Sequence, residues 1–343
     1  MGDSLGPASV RRLLRMLASI GAALVLVVIV SSAYLRLSQA GLSCADWPAC
    51  YGNLSHIAEA TTAQLVARLA HRIAASAVAF ILVALLAVSL TQRPRLVKQS
   101  TIAALALAVA AMLATVGAVM SESMRVTPLP AVTLANLLGG FAMLALLVWL
   151  RETVRGEPIA AGTPAAPSAR GAAALVAITL IAVIVQVALG GLVSAKFAAL
   201  ACPAFPLCGA DAPLSALPAT LDPLATLDVD AARTIVRPPA LAALHWAHRV
   251  GAHVVLLLAA MLVVVLARNR RGPTALVLAL LVILQLALGA AAVLGELPLG
   301  IVVAHNLVAA ILLAALVAIA SRIRSVSEVQ PPGVGGVTLV SKV

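Results

Sequence analysis

The sequence predicts an all-α integral membrane protein whose eight transmembrane helices form two pseudo-twofold-related four-helix bundles. Three observations carry that expectation. Of 343 residues, 63% are hydrophobic and 10% charged, with a mean hydropathy of +1.11; a soluble domain of this length needs more charge than that to cover its core. The apolar residues gather into eight runs, each long enough for the roughly 20 residues that a bilayer span requires. And the landmarks of the first half recur, in the same order, in the second.

The eight runs are 16–35, 64–91, 100–121, 129–150, 172–195, 241–267, 274–293 and 299–320. The first is longer than the apolar core of a secretory signal, and no small-x-small cleavage site follows it, so it reads as a retained helix. The runs divide the chain into a basic cytoplasmic tail (1–15), an N-terminal four-helix half (16–150), a cytoplasmic linker (151–171), a C-terminal four-helix half (172–322) and a disordered cytoplasmic tail (323–343). Glu157–Gly171 is rich in Pro, Ala and Gly, as a flexible joint would be. The formal net charge of +11 marks topology rather than nucleic-acid binding, because 15 of the 23 lysines and arginines sit in five segments on one side of the helices. The positive-inside rule then puts both termini in the cytoplasm and the cysteine-bearing loops on the outer face of a bacterial inner membrane or its equivalent.

The internal repeat is marked by chemistry-bearing residues. Cys44 and Cys50 enclose five residues after the first run, and Cys202 and Cys208 enclose five after the fifth. Trp47 and Pro48 match Phe205 and Pro206, and Ala70-His71-Arg72 matches Ala247-His248-Arg249. Two short, equal cysteine loops in an exported setting read as Cys44–Cys50 and Cys202–Cys208 disulfides, either loop staples or a redox pair. The main difference between the halves is Ala210–Pro239, an insertion expected to lie over the outer surface. Gly139-Gly140 and Gly190-Gly191 permit close helix approach.

An ionisable side chain in a membrane span costs roughly 2.5–3.5 kcal/mol on insertion scales and marks a functional site. His248 lies about seven residues into the sixth run, roughly 10 Å deep at 1.5 Å per residue, and His305 reaches a similar depth in the eighth. Two imidazoles at one level on alternate helices suit a planar macrocycle with two axial ligands, as in haem. The bland reading is a pair of hydrogen-bonded core histidines; zinc lacks a third and fourth ligand. Arg249 and Arg72 could pair with haem propionates or snorkel to the interface. His245 shares the face of His248, one turn nearer the surface, whereas His253 points elsewhere and reads as a packed residue. In the first half His71 corresponds to His248, but the slot for its partner in the fourth run, Thr133–Leu137, holds Asn136 or Ala135. A haem there would keep one iron face open.

These residues give the chain its resemblance to the haem A synthase family of cytochrome oxidase assembly proteins. The resemblance covers about 16–322 and is carried by Gly41-Leu-Ser-Cys-Ala-Asp-Trp-Pro-Ala-Cys-Tyr-Gly52, the two His-Arg pairs, Cys202–Cys208 and Ala304-His-Asn306. It implies haem b held in the C-terminal half by His248 and His305, beside Arg249 and His245. It implies that the substrate, haem O, binds in the N-terminal half at His71 and Arg72, where a methyl group is oxidised to a formyl to give haem A. The implied partners are a haem O synthase, an electron donor of unknown identity and the lipid bilayer; homo-oligomerisation is left open. The family pattern has a Glu three residues before the first-half His, where this chain has Arg68, and a second His where it has Asn136. Those departures keep a second function class in view, a non-catalytic haem b-binding assembly factor for cytochrome oxidase. A transporter, the third class, would need helices broken at mid-membrane.

Overall fold

The computed structural model describes residues 6–42, 48, 50–53, 61–123, 129–155, 168–202, 204, 208 and 213–328, with side-chain surroundings for all of these except 118–123, 168–170 and 324–328. Its long helices are α1 (Pro7–Gln39), α2 (Thr62–Thr91), α3 (Val97–Ser123), α4 (Pro130–Thr153), α5 (Ser168–Ala195), α6 (Leu241–Arg268), α7 (Gly272–Leu294) and α8 (Leu299–Glu328). Each is long and apolar enough to cross a membrane. Among the described residues there are no β-strands, only two isolated bridges.

Local sequence explains the helix starts. Pro7 and Pro130 stand in the first turns of α1 and α4, where the missing N–H costs nothing. At the start of α2, Thr61 Oγ1 accepts from the Gln64 amide at 3.2 Å and Gln64 Oε1 accepts from the Thr61 amide at 3.1 Å, a reciprocal cap. Gln64 also donates to Ser38 Oγ at 3.2 Å, which ties this cap to the end of α1. Helix α1 begins well before the expected span edge, so most of the expected basic tail is helical. The reason is packing: Val10 and Leu14 are buried, while Arg11 and Arg12 on the opposite side are exposed. Likewise α8 continues to Glu328; the remainder of the expected C-terminal tail and the linker core 156–167 lie outside the described residues.

Each set of four helices closes on itself. In the first half α1 packs on α2 and α4, and α3 on α2 and α4; in the second α5 packs on α6 and α8, and α7 on α6 and α8. The two rings meet through α1 on α8, α4 on α8 and α4 on α5. Leu14, Leu82, Leu85, Leu147, Leu262 and Leu316 lie fully buried in the shared core. Large apolar side chains such as Phe80, Ile73, Ile181 and Ile283 are exposed on the helix flanks, as lipid-facing residues are. The expected glycine approaches are present. A Cβ at Gly191 would lie 2.8 Å from Leu134 and Leu137 of α4, and one at Gly139 would lie 2.6 Å from Leu113 of α3.

Opposite ends of the bundle are tied differently. At the end where α1 starts and α8 stops, the Glu152 side chain is 2% exposed and accepts from Arg322 Nε of α8 at 2.9 Å and from Arg151 Nη1 at 2.6 Å, joining the halves. At the other end, the insertion folds across both halves. Ala131 N donates to Pro223 O at 2.8 Å and Ile235 N to Gly52 O at 3.0 Å. Tyr51 and Phe197 pack with their rings tilted at 55° and centroids 5.3 Å apart. Gly41 is required here, since at φ 98° a side chain is strained and its Cβ would lie 2.5 Å from Cys50 O.

Candidate functional site

The second ring, together with Leu37 of α1 and Leu137 and Phe141 of α4, borders a cavity of about 550 Å³ whose walls are mostly apolar, including Val183, Val187, Leu256, Val282, Leu286 and Leu312. The size falls within the range of cofactor sites. Helices α6 and α8 are diagonal in this ring, and each contributes an imidazole to the cavity wall, His248 and His305. Helix α6 starts at Leu241 and α8 at Leu299, the starts on which the expectation of equal depth was based.

Each imidazole has a glutamine and a glycine of the odd-numbered helix beside it, but the glutamine meets a different ring nitrogen in each case. On α5, Gln186 Nε2 donates to His248 O at 2.8 Å and lies 3.0 Å from His248 Nδ1. One turn further on, Gly190 makes room for the ring: a Cβ there would lie 2.8 Å from His248 Cε1. On α7, Gln285 Nε2 lies 3.1 Å from His305 Nε2, and a Cβ at Gly289 would lie 3.2 Å from His305 Cε1. The two seats share one sequence pattern, Gln186-Val-Ala-Leu-Gly190 and Gln285-Leu-Ala-Leu-Gly289. In the sequence alone Gly190 reads as a helix-packing residue, and the repeat gains its meaning only from the imidazoles on the neighbouring helices.

The cavity extends toward the cysteine-loop end, where Arg36, Tyr51, Ser194, His245 and Arg249 line it. Arg36 comes from α1 in the first half and donates to Ser194 Oγ of α5. Burial pushes the Tyr51 hydroxyl up to about 12, against the pull of Arg237 and Arg36, so Tyr51 presents a neutral hydroxyl. The Arg249 guanidinium donates to the backbone oxygens of Cys202 and Ala204, docking the second cysteine loop onto α6. Cys202 and Cys208 are disulfide-bonded. Cys50 is also disulfide-bonded, whereas Cys44 lies outside the described residues, as do His56, Trp47 and Phe205. His253, expected to point elsewhere, also borders the cavity: its Nδ1 is 2.8 Å from Arg249 O, and the cavity is wide enough to reach that side of α6.

The structure thus brings His245, His248, His305 and Arg249 together. His71 and Arg72 lie on α2, outside that cavity's lining, with His71 half-buried and Arg72 exposed. Arg68 and Asn136 are both exposed.

A haem group is consistent with the second-half donor set. Two diagonal imidazoles border one apolar cavity, and a glycine lies against each ring. His305 Nδ1 and His245 Nδ1 are buried without a hydrogen-bond partner, and a buried polar atom of that kind costs about 1–3 kcal/mol unless something meets it. Residues 15–317 match the family of cytochrome oxidase assembly proteins designated COX15-CtaA.

The chain belongs to this family. It is also 33% identical, over 86% of its own length and 92% of the other's, to a protein of Shewanella oneidensis named Heme A synthase. The match takes in both helical rings, the His248–His305 cavity and α2 with His71, so the family relation holds for the whole membrane domain and not for one bundle.

Proposed function

We propose that this chain is a haem A synthase, a membrane oxidoreductase that converts a methyl group of haem O to a formyl group and so supplies haem A for cytochrome oxidase assembly. The observation that carries the proposal is the pair of cavity-lining imidazoles, His248 and His305, in a family member one-third identical to a haem A synthase along nearly all its length. His248 and His305 would be the two axial ligands of a resident haem b, with Gly190 and Gly289 leaving space for their rings. A haem b held by two imidazoles supplies a one-electron centre with no open coordination site.

The substrate haem O then belongs to the first half, where His71 is the imidazole on α2. Binding through His71 alone leaves one iron face accessible, and Arg72 offers a guanidinium for a substrate carboxylate. Written with water as the oxygen source, methyl plus water gives hydroxymethyl, two protons and an electron pair, and hydroxymethyl gives formyl, two protons and a second pair; both pairs must pass to an acceptor. The half-buried Arg36 side chain reaches from the first half to the second-half cavity, at the boundary between the two proposed haem sites. Positive-inside topology supports cytoplasmic termini and cysteine loops on the outer face. The reciprocal packing of α1 on α8 and α4 on α5 supports a pseudo-twofold relation between the halves. A haem O synthase is the enzyme class that would supply the substrate.

The test is expression in a host that makes haem O but no haem A, followed by extraction and chromatography of the haems. Haem A is expected. Folded, haem-loaded protein with haem O unchanged would overturn the proposal and leave the non-catalytic assembly role.

A further inference from the structure

The second-half cavity has a cationic end and no anion to match it. Arg36 and Arg249 both line that end, and among the described residues the lining holds no aspartate or glutamate. The Arg249 guanidinium is committed to the backbone oxygens of Cys202 and Ala204. Arg36 donates from Nη1 to Ser194 Oγ, and among the described residues it makes no ion pair. A guanidinium carries five N–H donors in a planar fork that suits a carboxylate. A charged group inside a membrane bundle is costly unless it meets a partner. Arg36 and Ser194 each stand eight residues before the first cysteine of their own loop, so they are corresponding positions of the internal repeat that meet across the boundary between the halves. The cation crosses in one direction only: α1 sends a guanidinium to the second-half cavity, and α5 offers a hydroxyl in return. Tyr51, also from the first half, lines the same end with a neutral hydroxyl, a donor that serves an anion without adding charge.

We propose that Arg36, although it belongs to the first half, is a cofactor-binding residue of the second-half site: its guanidinium takes a carboxylate of the porphyrin and Ser194 orients it, which rests on the reading that haem b lies between His248 and His305. Haem b is apolar apart from its iron and two carboxylates. The cavity matches that division, with apolar walls, an imidazole on each of two diagonal helices and one cationic end. The carboxylate supplies the charge that Arg36 lacks, and the guanidinium fixes which edge of the macrocycle faces the cysteine loops. The second-half cofactor is thereby held in part by the first half, and neither half alone completes the site.

The experiment titrates the full-length apo-protein in detergent with haem b and with haem b dimethyl ester, which keeps the ring and the iron and has no carboxylate. Wild type, Arg36→Gln and Arg36→Lys are compared at the low-spin bands, with thermal unfolding in parallel. Arg36→Gln is expected to lower the affinity for haem b by about 10- to 100-fold and to leave the affinity for the ester within about twofold of wild type. The ester partitions differently into detergent, but that difference is common to all three proteins and cancels in the ratio. Arg36→Lys keeps the charge and loses the planar fork, so its loss should be smaller and again confined to haem b; it carries the same comparison should Arg36→Gln not fold. Equal losses for both porphyrins, as a purely structural role predicts, or no loss for haem b, overturn the assignment of Arg36 and leave the haem b site standing. A wild-type protein without a two-imidazole spectrum in haem b overturns the haem b reading itself, and with it this inference.

Discussion

Replacing Gly190 by alanine tests the second-half site with one atom. The added Cβ would lie 2.8 Å from His248 Cε1, about 0.6 Å inside ordinary contact at 3.4 Å. The ring cannot simply swing away, because Gln186 holds it at Nδ1 and holds its backbone oxygen as well. Overpacking of this kind costs about 1–3 kcal/mol, which converts to a loss of haem affinity of roughly 5- to 150-fold. At Gly289 the corresponding distance is 3.2 Å, an encroachment of about 0.2 Å, so Gly289→Ala should cost distinctly less. Gly300→Ala, with nothing within 4 Å, is the control. Alanine is intrinsically better than glycine in a helix by about 0.5–1 kcal/mol, which offsets part of the overpacking cost to the fold, so Gly190→Ala should stay folded with at most a modest fall in its unfolding midpoint. The assay is haem titration of apo-protein in detergent, followed at the low-spin bands, with thermal unfolding in parallel. Wild-type affinity in Gly190→Ala, or a larger loss in Gly289→Ala, would refute the reasoning.

Glu152→Gln should lower the thermal stability of the detergent-solubilised protein by about 1–3 kcal/mol, since it weakens charged hydrogen bonds between the halves, and the lower end is expected because the arginine partners are a third to a half exposed. An unchanged unfolding midpoint would show that Glu152 does not join the halves. Cys202→Ser with Cys208→Ser should cost roughly 2 kcal/mol by loop-closure entropy, measured by the same melt. It should also leave haem A formation intact if the bridge is a loop staple; abolished formation in a folded double variant would assign the bridge a redox role.

Most of the architecture was legible because bilayer thickness dictates span length. The starts of α2, α4, α6, α7 and α8 fall within about two residues of the expected edges. The N-terminus of α1 was not, because hydropathy reports where a helix leaves the bilayer and not where it ends; Val10 and Leu14 extend it by packing. The histidines at 245, 248 and 305 were readable from depth alone. What surrounds them was harder to read. A glutamine and a glycine one turn apart in an apolar run look like ordinary packing until the neighbouring helix is known, and Arg36 belongs in sequence to the first half but lines the second-half cavity.

The central claim is that the second half carries a two-imidazole haem while the first half carries the substrate at His71. The most direct measurement is haem type and stoichiometry per chain, with low-spin spectra, in wild type, His305→Ala and His71→Ala. One low-spin haem b per chain is expected in wild type. It should be lost, or become five-coordinate, in His305→Ala. In His71→Ala it should persist unchanged, with haem O no longer converted. A low-spin signal that survives His305→Ala and disappears in His71→Ala would contradict the account.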